Sequence, residues 1–352
     1  MQERLAGVDC MRLFATVAVI LLHTTPVSIS ELENLNSFSP ALLINQFSRF
    51  AVPFFFSISG YFWGKSIENN RSIFKAWKKS ATRLGLLFVA WTVIYATPYT
   101  QAFSFPVQSD TAFNFIKQTY WNLLNLSSHP LIFMLEGSKS HLWFLPSLLI
   151  CLSISSVFVK RNFAPALIIV SILLYITGVL GKSYSSTPYG IDININTRDG
   201  PFFGLIFFVT GYYLSRINPS VSLMRYGLAL LSVGFFAQAF ELYILNKNYG
   251  VLKIQDYCFS TYLMGIGAAM IGIYSAPPLH IRKVNLARIS DLTLGIYLVH
   301  FIFIDILIEL SSAFPSFASV KNPYFFPMIV ILSSSAFTTI LNLKKPFKWL
   351  VR

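Results

Sequence analysis

The sequence predicts an all-α integral membrane protein with about ten transmembrane helices and both termini on the cytoplasmic side. Two observations lead to this fold class. The 352 residues are 55% hydrophobic and only 12% charged, whereas soluble proteins carry roughly 25% charged residues. A search for apolar stretches of about 20 residues, the length that crosses a bilayer core, finds ten candidates. The composition therefore excludes a soluble globular enzyme, as well as disordered, coiled-coil and collagen-like chains.

The ten predicted spans follow one another along the chain, and no segment between them is long enough for a second folded domain. We therefore expect residues 1–352 to form a single transmembrane domain. The longest connecting segment, 99–140, has an aromatic centre at 111–126 that is typical of a helix lying in the membrane interface. The predicted spans are 9–29, 41–63, 81–99, 142–159, 164–181, 201–216, 222–245, 257–275, 289–309 and 324–343.

The distribution of basic residues predicts the orientation of the chain. The segments on the side of the amino terminus hold 18 of the 27 lysines and arginines, the opposite segments hold 7, and Arg12 and Arg49 lie inside spans. This bias indicates a cytoplasmic amino terminus and an even number of spans. It also accounts for the net charge of +13, so we expect membrane lipids, and not nucleic acid, to face the basic segments.

The first span carries three ionisable residues, Asp9, Arg12 and His23. An ionisable group at membrane depth costs at least about 2.5 kcal/mol, so three of them require a reason. Eleven positions separate Arg12 from His23, which is three helical turns plus about 20°, so both project from one face roughly 16 Å apart. Asp9 lies three positions before Arg12 on the same face, where it is placed to pair with the guanidinium. The same residues argue against a cleaved signal peptide.

This arrangement suits a long phosphorylated cofactor that enters from the cytoplasm. A guanidinium binds phosphate, while an imidazole has a pKa near neutrality and can accept and return a proton. Such a cofactor would place its phosphate end at Arg12 and its reactive end near His23. An alternative stays open on the residues alone, in which Arg12 reaches the inner headgroups, Asp9 balances its charge and His23 hydrogen-bonds a neighbouring helix.

Four segments of the chain resemble the acyltransferase 3 family of bacterial membrane proteins. Segment 8–12, followed by ten residues and His23, resembles the first-helix signature of that family. Segment 49–61 resembles its Arg, Pro, Phe-Phe, Ser-Gly stretch, segment 141–145 its His-Leu-Trp-Phe segment, and segment 295–300 its Gly-Ile-Tyr-x-x-His motif. The four occur in the order of the family and cover nearly the whole chain.

The resemblance implies an activity, a donor and a set of site residues. The family moves an acyl group, usually acetyl from acetyl-CoA on the cytoplasmic side, to a hydroxyl of an extracytoplasmic or lipid-linked glycan. By this resemblance His23, together with Asp9, forms the catalytic group, and Arg12 binds the CoA end. Some members carry an Arg-x-x-Arg motif on the third span. Here only Arg83 fits it, with Lys79 upstream, and we expect both to contribute to cofactor binding.

Further polar and aromatic residues are candidates for the acceptor side. Arg49, early in the second span, is expected near the outer face, where it binds glycan, fixes His23 through a hydrogen bond or forms a buried structural ion pair. His141 and Trp143 open the fourth span, where a sugar contact competes with an aromatic belt. His300 is either a second proton carrier or a packed, hydrogen-bonded histidine. Tyr297, one turn earlier on the same face, is its expected partner.

Structural roles are also possible for three other residues within the predicted spans. Glu241 and Asp305 lie in the outer halves of their spans, where each lines a water-filled cavity or neutralises a basic neighbour. Gly60 is expected to allow close packing of two helices.

The sequence thus predicts an O-acyltransferase of the bacterial cytoplasmic membrane. Its donor is acyl-CoA and its acceptor a surface polysaccharide or a lipid-linked glycan precursor, with no metal and no tightly bound cofactor. A glycan transporter or flippase is the alternative, for which ions on both faces and paired discontinuous helices are expected. The sequence contains no Walker loop, dinucleotide fingerprint, HExxH or paired CxxC motif, and its three cysteines show no disulfide or zinc spacing.

Overall fold

A computed structural model describes residues 5–25, 39–68, 72–100, 111–275, 283–314, 322 and 324–351. Of these residues 79% are helical, and none lies in a strand. The α-helices are α1 (Ala6–Thr24), α2 (Pro40–Ser48), α3 (Ala51–Glu68), α4 (Ile73–Ala96), α5 (Thr111–Ser127), α6 (Pro130–Glu136), α7 (Phe144–Lys160), α8 (Ala164–Leu180), α9 (Pro201–Leu214), α10 (Val221–Tyr249), α11 (Thr261–Tyr274), α12 (Lys283–Ser290), α13 (Thr293–Ala313) and α14 (Phe325–Leu343). Short 3₁₀ helices cover Ser140–Trp143 and Lys348–Leu350.

The all-helical class is confirmed for the described residues, and each of the ten predicted spans overlaps a helix. Six helical stretches are long and apolar enough to cross a membrane, while α8, α9 and α11 are apolar but shorter. Two predicted spans are interrupted, one between α2 and α3 and the other between α12 and α13. Six candidate crossings are therefore established by length and composition, and the number ten and the orientation stay predictions.

Local signals in the sequence set several helix ends. The Ser39 hydroxyl accepts a hydrogen bond from the Leu42 amide at 3.2 Å, and Pro40 follows at the first position of α2, where its missing N–H costs nothing. Ser220 caps α10 in the same way. Gly250 ends α10 with a φ of +66°, a conformation that favours glycine.

The chain divides into two compact units. Unit 1 comprises Met1–Ala81 and Ser147–Ser290. Within it, α10 packs along α11, α3 packs against α9 and α11, and α8 packs against α9. The amino-terminal helix α1 contacts α2, α3, α11 and α12.

Glycines bring α3 and α9 into backbone contact, as predicted for Gly60. A Cβ added at Gly60 would overlap the Phe208 carbonyl oxygen, and one at Gly211 would overlap the Ser57 carbonyl oxygen. The phenylalanines around this crossing are buried core residues and do not face lipid; they are Phe54, Phe56, Phe207 and Phe208.

Unit 2 comprises Thr82–Pro146 and Asp291–Arg352. Within it, α13 packs against α14, and α5 packs against α6. The Trp91 indole N–H donates to the Leu350 carbonyl at 2.9 Å, which attaches the carboxyl-terminal 3₁₀ turn to α4. The aromatic segment 111–126 forms α5, and its Ile116, Tyr120 and Trp121 side chains are exposed.

Candidate functional site

The candidate donor site is built on α1, which is one uninterrupted helix from Ala6 to Thr24. Helical periodicity therefore places Arg12, Thr16 and His23 within about 40° of one another around its axis. Arg12 and Thr16 are joined by a hydrogen bond of 2.8 Å from the Thr16 hydroxyl to the Arg12 carbonyl oxygen. The stripe predicted from the sequence thus has a buried hydroxyl between its two ends.

Asp9 connects α1 to α12. Its carboxylate is buried, lies 3.6 Å from Arg12 Nη1 and accepts a hydrogen bond of 2.7 Å from the Ser290 hydroxyl. Asp9 and His23 are fourteen positions apart on one straight helix, which is about 21 Å of rise. The carboxylate therefore interacts with Arg12 and does not contact His23.

Arg12 is held from two sides. In addition to Asp9, its guanidinium carbon lies 5.2 Å from the centroid of the Phe62 ring on α3, at a distance typical of a cation–π contact. The Arg12 side chain is 28% exposed. A guanidinium that is fixed and still accessible is suited to bind phosphate oxygens.

His23 lies in the last turn of α1 and is exposed, whereas its neighbour Thr24 is buried and donates to the Ile20 carbonyl oxygen at 2.8 Å. An accessible imidazole can meet a substrate directly. The stripe therefore runs from a buried carboxylate at Asp9 to an accessible imidazole at His23.

Arg49 forms an ion pair with Asp256, which was one of the three explanations that the sequence left open. It lies in the turn between α2 and α3, about a third of the way along the 29-residue stretch Pro40–Glu68. Phe50, the next residue, stacks on Phe14 of α1 with ring centroids 5.5 Å apart, so this turn packs against α1. Its expected place near the outer face stays a prediction, because the stretch is identified as a candidate crossing by length and composition only.

The Asp256 carboxylate forms ion pairs with three basic side chains. Its carboxylate is 3.1 Å from Arg49 Nη1, 3.2 Å from Lys182 Nζ and 3.9 Å from Arg198 Nη1. Burial opposes ionisation of this carboxyl, but the three cations outweigh burial and lower the pKa of Asp256 to about 2. We call Arg49, Lys182, Arg198 and Asp256 the Asp256 cluster.

The predicted acceptor residues His141, Tyr297 and His300 come together in unit 2, and all three are buried. The centroids of the two imidazole rings are 5.2 Å apart, and the Tyr297 hydroxyl donates to the His141 carbonyl oxygen. His300 Nδ1 lies 2.5 Å from the Tyr297 carbonyl oxygen. Because a carbonyl only accepts, Nδ1 of His300 carries the proton.

The remaining candidates from the sequence are Trp143, Lys79 and Arg83. Trp143 is buried edge-on against Phe144, and Lys79 and Arg83 are exposed one turn apart on α4. On one helix, positions i and i+4 present their charges to the same side.

Glu241 and Asp305 both have structural partners. The Glu241 carboxylate accepts hydrogen bonds from the Phe259 and Ser260 amides, each at 3.0 Å, just before α11. Asp305 pairs with Lys139 at 2.6 Å. Of the two explanations for Asp305, neutralisation of a basic neighbour is the one that the structure shows.

Sequence reasoning missed Thr16, Ser290 and the other three members of the Asp256 cluster, which are Lys182, Arg198 and Asp256. Thr16 was detectable, since it follows Arg12 by four positions and shares its face. Asp256 was not, because 207 positions separate it from Arg49 and no short-range pattern connects them.

Comparison with known proteins places the chain in a family. Residues 5–341 match the family model described as an acyltransferase domain. Two similar proteins, both called amino-acid racemase and both from Enterococcus faecalis, are 25% and 28% identical to this chain. The first match covers 99% of this chain and 47% of the relative, and the second covers 74% and 36%.

The chain thus spans about half the length of the first relative, and less of the second. No solved structure matches it. Because the acyltransferase model covers nearly the whole sequence, the chain belongs to the acyltransferase 3 family.

Proposed function

We propose that this protein transfers an acyl group, acetyl in the simplest case, from acyl-CoA to a hydroxyl of a cell-surface polysaccharide or a lipid-linked glycan precursor. The observation that carries the proposal is the joint placement of Arg12 and His23 on one face of α1, in a chain whose residues 5–341 match an acyltransferase family. The protein acts in the bacterial cytoplasmic membrane, with its donor side at Arg12.

In this proposal Arg12 binds phosphate oxygens of the CoA moiety. Asp9 is a positioning residue, because its carboxylate contacts Arg12 and Ser290 and lies too far from His23 to share a proton with it. Lys79 and Arg83 add positive charge for the same donor. The pantetheine arm then extends along the stripe past Thr16 and presents the thioester carbonyl to His23.

His23 acts as the general base. Its neutral imidazole removes the proton of the acceptor hydroxyl, the oxygen attacks the thioester carbonyl carbon, the carbon–sulfur bond breaks, and the CoA thiolate takes the proton. In the second version the imidazole attacks the thioester carbonyl carbon and displaces the CoA thiolate. The acceptor hydroxyl then attacks the acyl-imidazole, the carbon–nitrogen bond breaks, and the hydroxyl proton goes to the thiolate. General-base help supplies about 10²- to 10⁴-fold of the rate, and positioning along α1 supplies the rest.

The acceptor is oriented by aromatic and imidazole side chains. His141, Trp143, Tyr297 and His300 are our candidates, with His300 as a second proton carrier. Burial of His141 and His300 favours an indirect role, in which they hold the groups that contact the sugar.

Two other activities are alternatives that the same experiments separate. A glycan transporter or flippase would use a polar interior without consuming acyl-CoA. The relatives named amino-acid racemase make racemisation the second alternative. The part that they share with this chain is less than half of each relative, and in this chain it is the part that matches the acyltransferase model. We therefore assign acyl transfer to this chain.

The test is release of free thiol from acetyl-CoA by purified protein supplied with a glycan acceptor. We expect His23→Ala to remove activity while the protein stays folded, and Arg12→Ala chiefly to raise the KM for acetyl-CoA. His129→Ala is the matched control, because His129 is exposed and makes no capping hydrogen bond. Thiol release by His23→Ala at the rate of the unmodified protein would refute the assignment, and absence of acetyl-CoA-dependent release by the unmodified protein would favour transport.

A further inference from the structure

The Asp256 cluster lies in unit 1, away from the donor end of α1. Along α3, Arg49 is thirteen positions from Phe62, the ring that packs on Arg12, which is about 20 Å of helix. The cluster is therefore a second charged site within the same unit, and the proposed donor chemistry does not use it.

Positive charge is in excess at this site. Arg49, Lys182 and Arg198 converge on the Asp256 carboxylate, and Arg198 Nε also donates to Asp199 at 3.1 Å. Three cations thus face two carboxylates. These five side chains therefore carry one net positive charge, and Lys182 Nζ also donates to Asn196 Oδ1 at 3.0 Å.

Arg49 also keeps an unused donor. Its Nη1 and Nη2 donate to Asp256 and to Asn45, whereas its Nε is buried and has no hydrogen-bond partner. A buried donor without an acceptor costs about 1 to 3 kcal/mol. An incoming oxygen that accepts from Nε would recover part of that cost.

The helix lengths indicate that the cluster lies short of the ends of the longest helices in unit 1. Gly234 of α10 packs against the Met264 amide of α11. From this contact α11 begins three residues away, whereas α10 continues for fifteen residues to Tyr249, so α10 extends about 18 Å beyond the start of α11. Asp256 lies only five residues before α11.

The start of α9 is recessed in the same way. Gly204 packs on the Phe56 ring of α3, and α9 begins three residues from Gly204, while the α2–α3 stretch continues for sixteen residues beyond Phe56 to Pro40. The difference is again about 20 Å. Arg198 lies three residues before α9, so two segments of the cluster stand at the recessed ends of short helices between longer ones.

The cluster remains accessible in this recess. The exposed fractions of its side chains range from 14% for Arg49 to 30% for Lys182. A charged group at membrane depth is costly unless it faces water or a ligand. Partial exposure, excess positive charge and an unused donor together describe a site for a small anion.

We propose that the Asp256 cluster binds an acidic group of the acceptor, a carboxylate or a phosphate ester. This inference rests on the proposed function, whose acceptor it narrows to acidic glycans or phosphorylated glycan precursors. The guanidinium groups of Arg49 and Arg198 donate hydrogen bonds to two oxygens of the anion, and the Lys182 ammonium adds a positive charge. Asp256 keeps the three cations together when the site is empty and competes with the anion for them.

The experiment measures the binding of two acidic sugars and one neutral sugar to the purified full-length chain in detergent. D-glucuronate tests a carboxylate, glucose 6-phosphate tests a phosphate ester, and glucose is the neutral control. We expect at least one acid to raise the unfolding midpoint in a saturable way and glucose to leave it unchanged, and the effective acid identifies the source of the anion. If neither acid acts, or if glucose acts equally, the inference is overturned.

Four variants locate the binding. Lys182→Gln and Arg198→Gln each weaken the affinity for the acid about tenfold, the loss expected when one charge-assisted contact is removed. Asp256→Asn binds the acid more tightly, because the competing carboxylate is gone. Lys247→Gln is the matched control, since Lys247 is exposed and packs over Tyr243 outside the cluster. Equal losses in Lys182→Gln and Lys247→Gln would contradict a specific site.

Failure of this inference and failure of the proposed function give different results. Saturable, cluster-dependent acid binding without thiol release from acetyl-CoA would keep the anion site and remove the acyltransferase assignment. His23-dependent acylation of a neutral sugar, with no acid binding, would keep the acyltransferase assignment and remove the anion site.

Discussion

Asp9 and Arg12 show how much of the donor site follows from local spacing. A carboxylate three positions before an arginine on a helix is predicted to pair with it, and the pair is present at 3.6 Å. The hydrogen bond from Ser290 to Asp9 was beyond prediction, because 281 positions separate the two residues and only the packing of α12 on α1 brings them together. Short-range geometry is thus readable from the sequence, and the partner that fixes it is not.

We predict that Asp9→Asn raises the KM for acetyl-CoA about 5- to 10-fold and leaves kcat nearly unchanged. The amide oxygen can still accept from Ser290, but the charge that holds Arg12 is lost, and a charged contact contributes about 1 to 1.5 kcal/mol. Steady-state thiol-release kinetics measure both constants. Ser290→Ala is the control that removes the hydrogen bond and keeps the charge. An equal fall of kcat in Asp9→Asn and His23→Ala would instead make Asp9 part of the chemical step.

Asp256 gives a prediction on the pH dependence of stability. Its pKa of about 2 in the fold lies below the value of about 3.9 for an unfolded aspartate. The charged form therefore stabilises the fold above about pH 4, and this contribution is lost as the pH falls towards 2. We expect the unfolding midpoint of Asp256→Asn to lie below that of the unmodified chain at neutral pH, with a difference that shrinks below about pH 4. A difference independent of pH would show that the three cations do not stabilise this carboxylate.

At the scale of elements, apolar periodicity located the helices but not their interruptions. The turn at Arg49 and Phe50 lies inside a stretch that remains apolar, so hydropathy carries no signal for it. The break between α12 and α13 falls at Asp291 and Leu292, directly after the polar helix α12. The helices α9 and α11 have 14 residues each and pack against the longer helices α3 and α10 respectively. The recess around the Asp256 cluster was therefore invisible in the sequence.

The close crossing of α3 and α9 predicts that a methyl group added at Gly60 lowers the stability of the fold. Gly60→Ala places a Cβ on the Phe208 carbonyl oxygen, so the two backbones must separate, at a cost of about 1 to 3 kcal/mol. We expect a lower unfolding midpoint in detergent. Gly85→Ala is the matched control, because nothing lies within 4 Å of a Cβ at that helical glycine, and its higher helix propensity contributes up to about 1 kcal/mol of stability. Equal midpoints for the two variants would mean that the helices do not approach at backbone contact.

At the scale of the whole molecule, the orientation rests on the distribution of charge. In a Cys10→Ser background, which removes an exposed thiol, Lys75→Cys and Lys247→Cys report on opposite faces. We expect a membrane-impermeant maleimide to label Lys247→Cys in intact cells and Lys75→Cys only after permeabilisation, because the charge bias predicts that the basic segments face the cytoplasm. The reverse pattern would invert the donor and acceptor sides.

The central claim is that α1 passes an acyl group from a donor at Arg12 to an acceptor that meets His23 from the other side. The direct test uses sealed proteoliposomes with labelled acetyl-CoA on the Arg12 side only and the acceptor glycan on the opposite side only. We predict that the unmodified protein transfers label to that acceptor and that His23→Ala transfers none. Label that reaches the acceptor only when both substrates share one side of the membrane would contradict the claim.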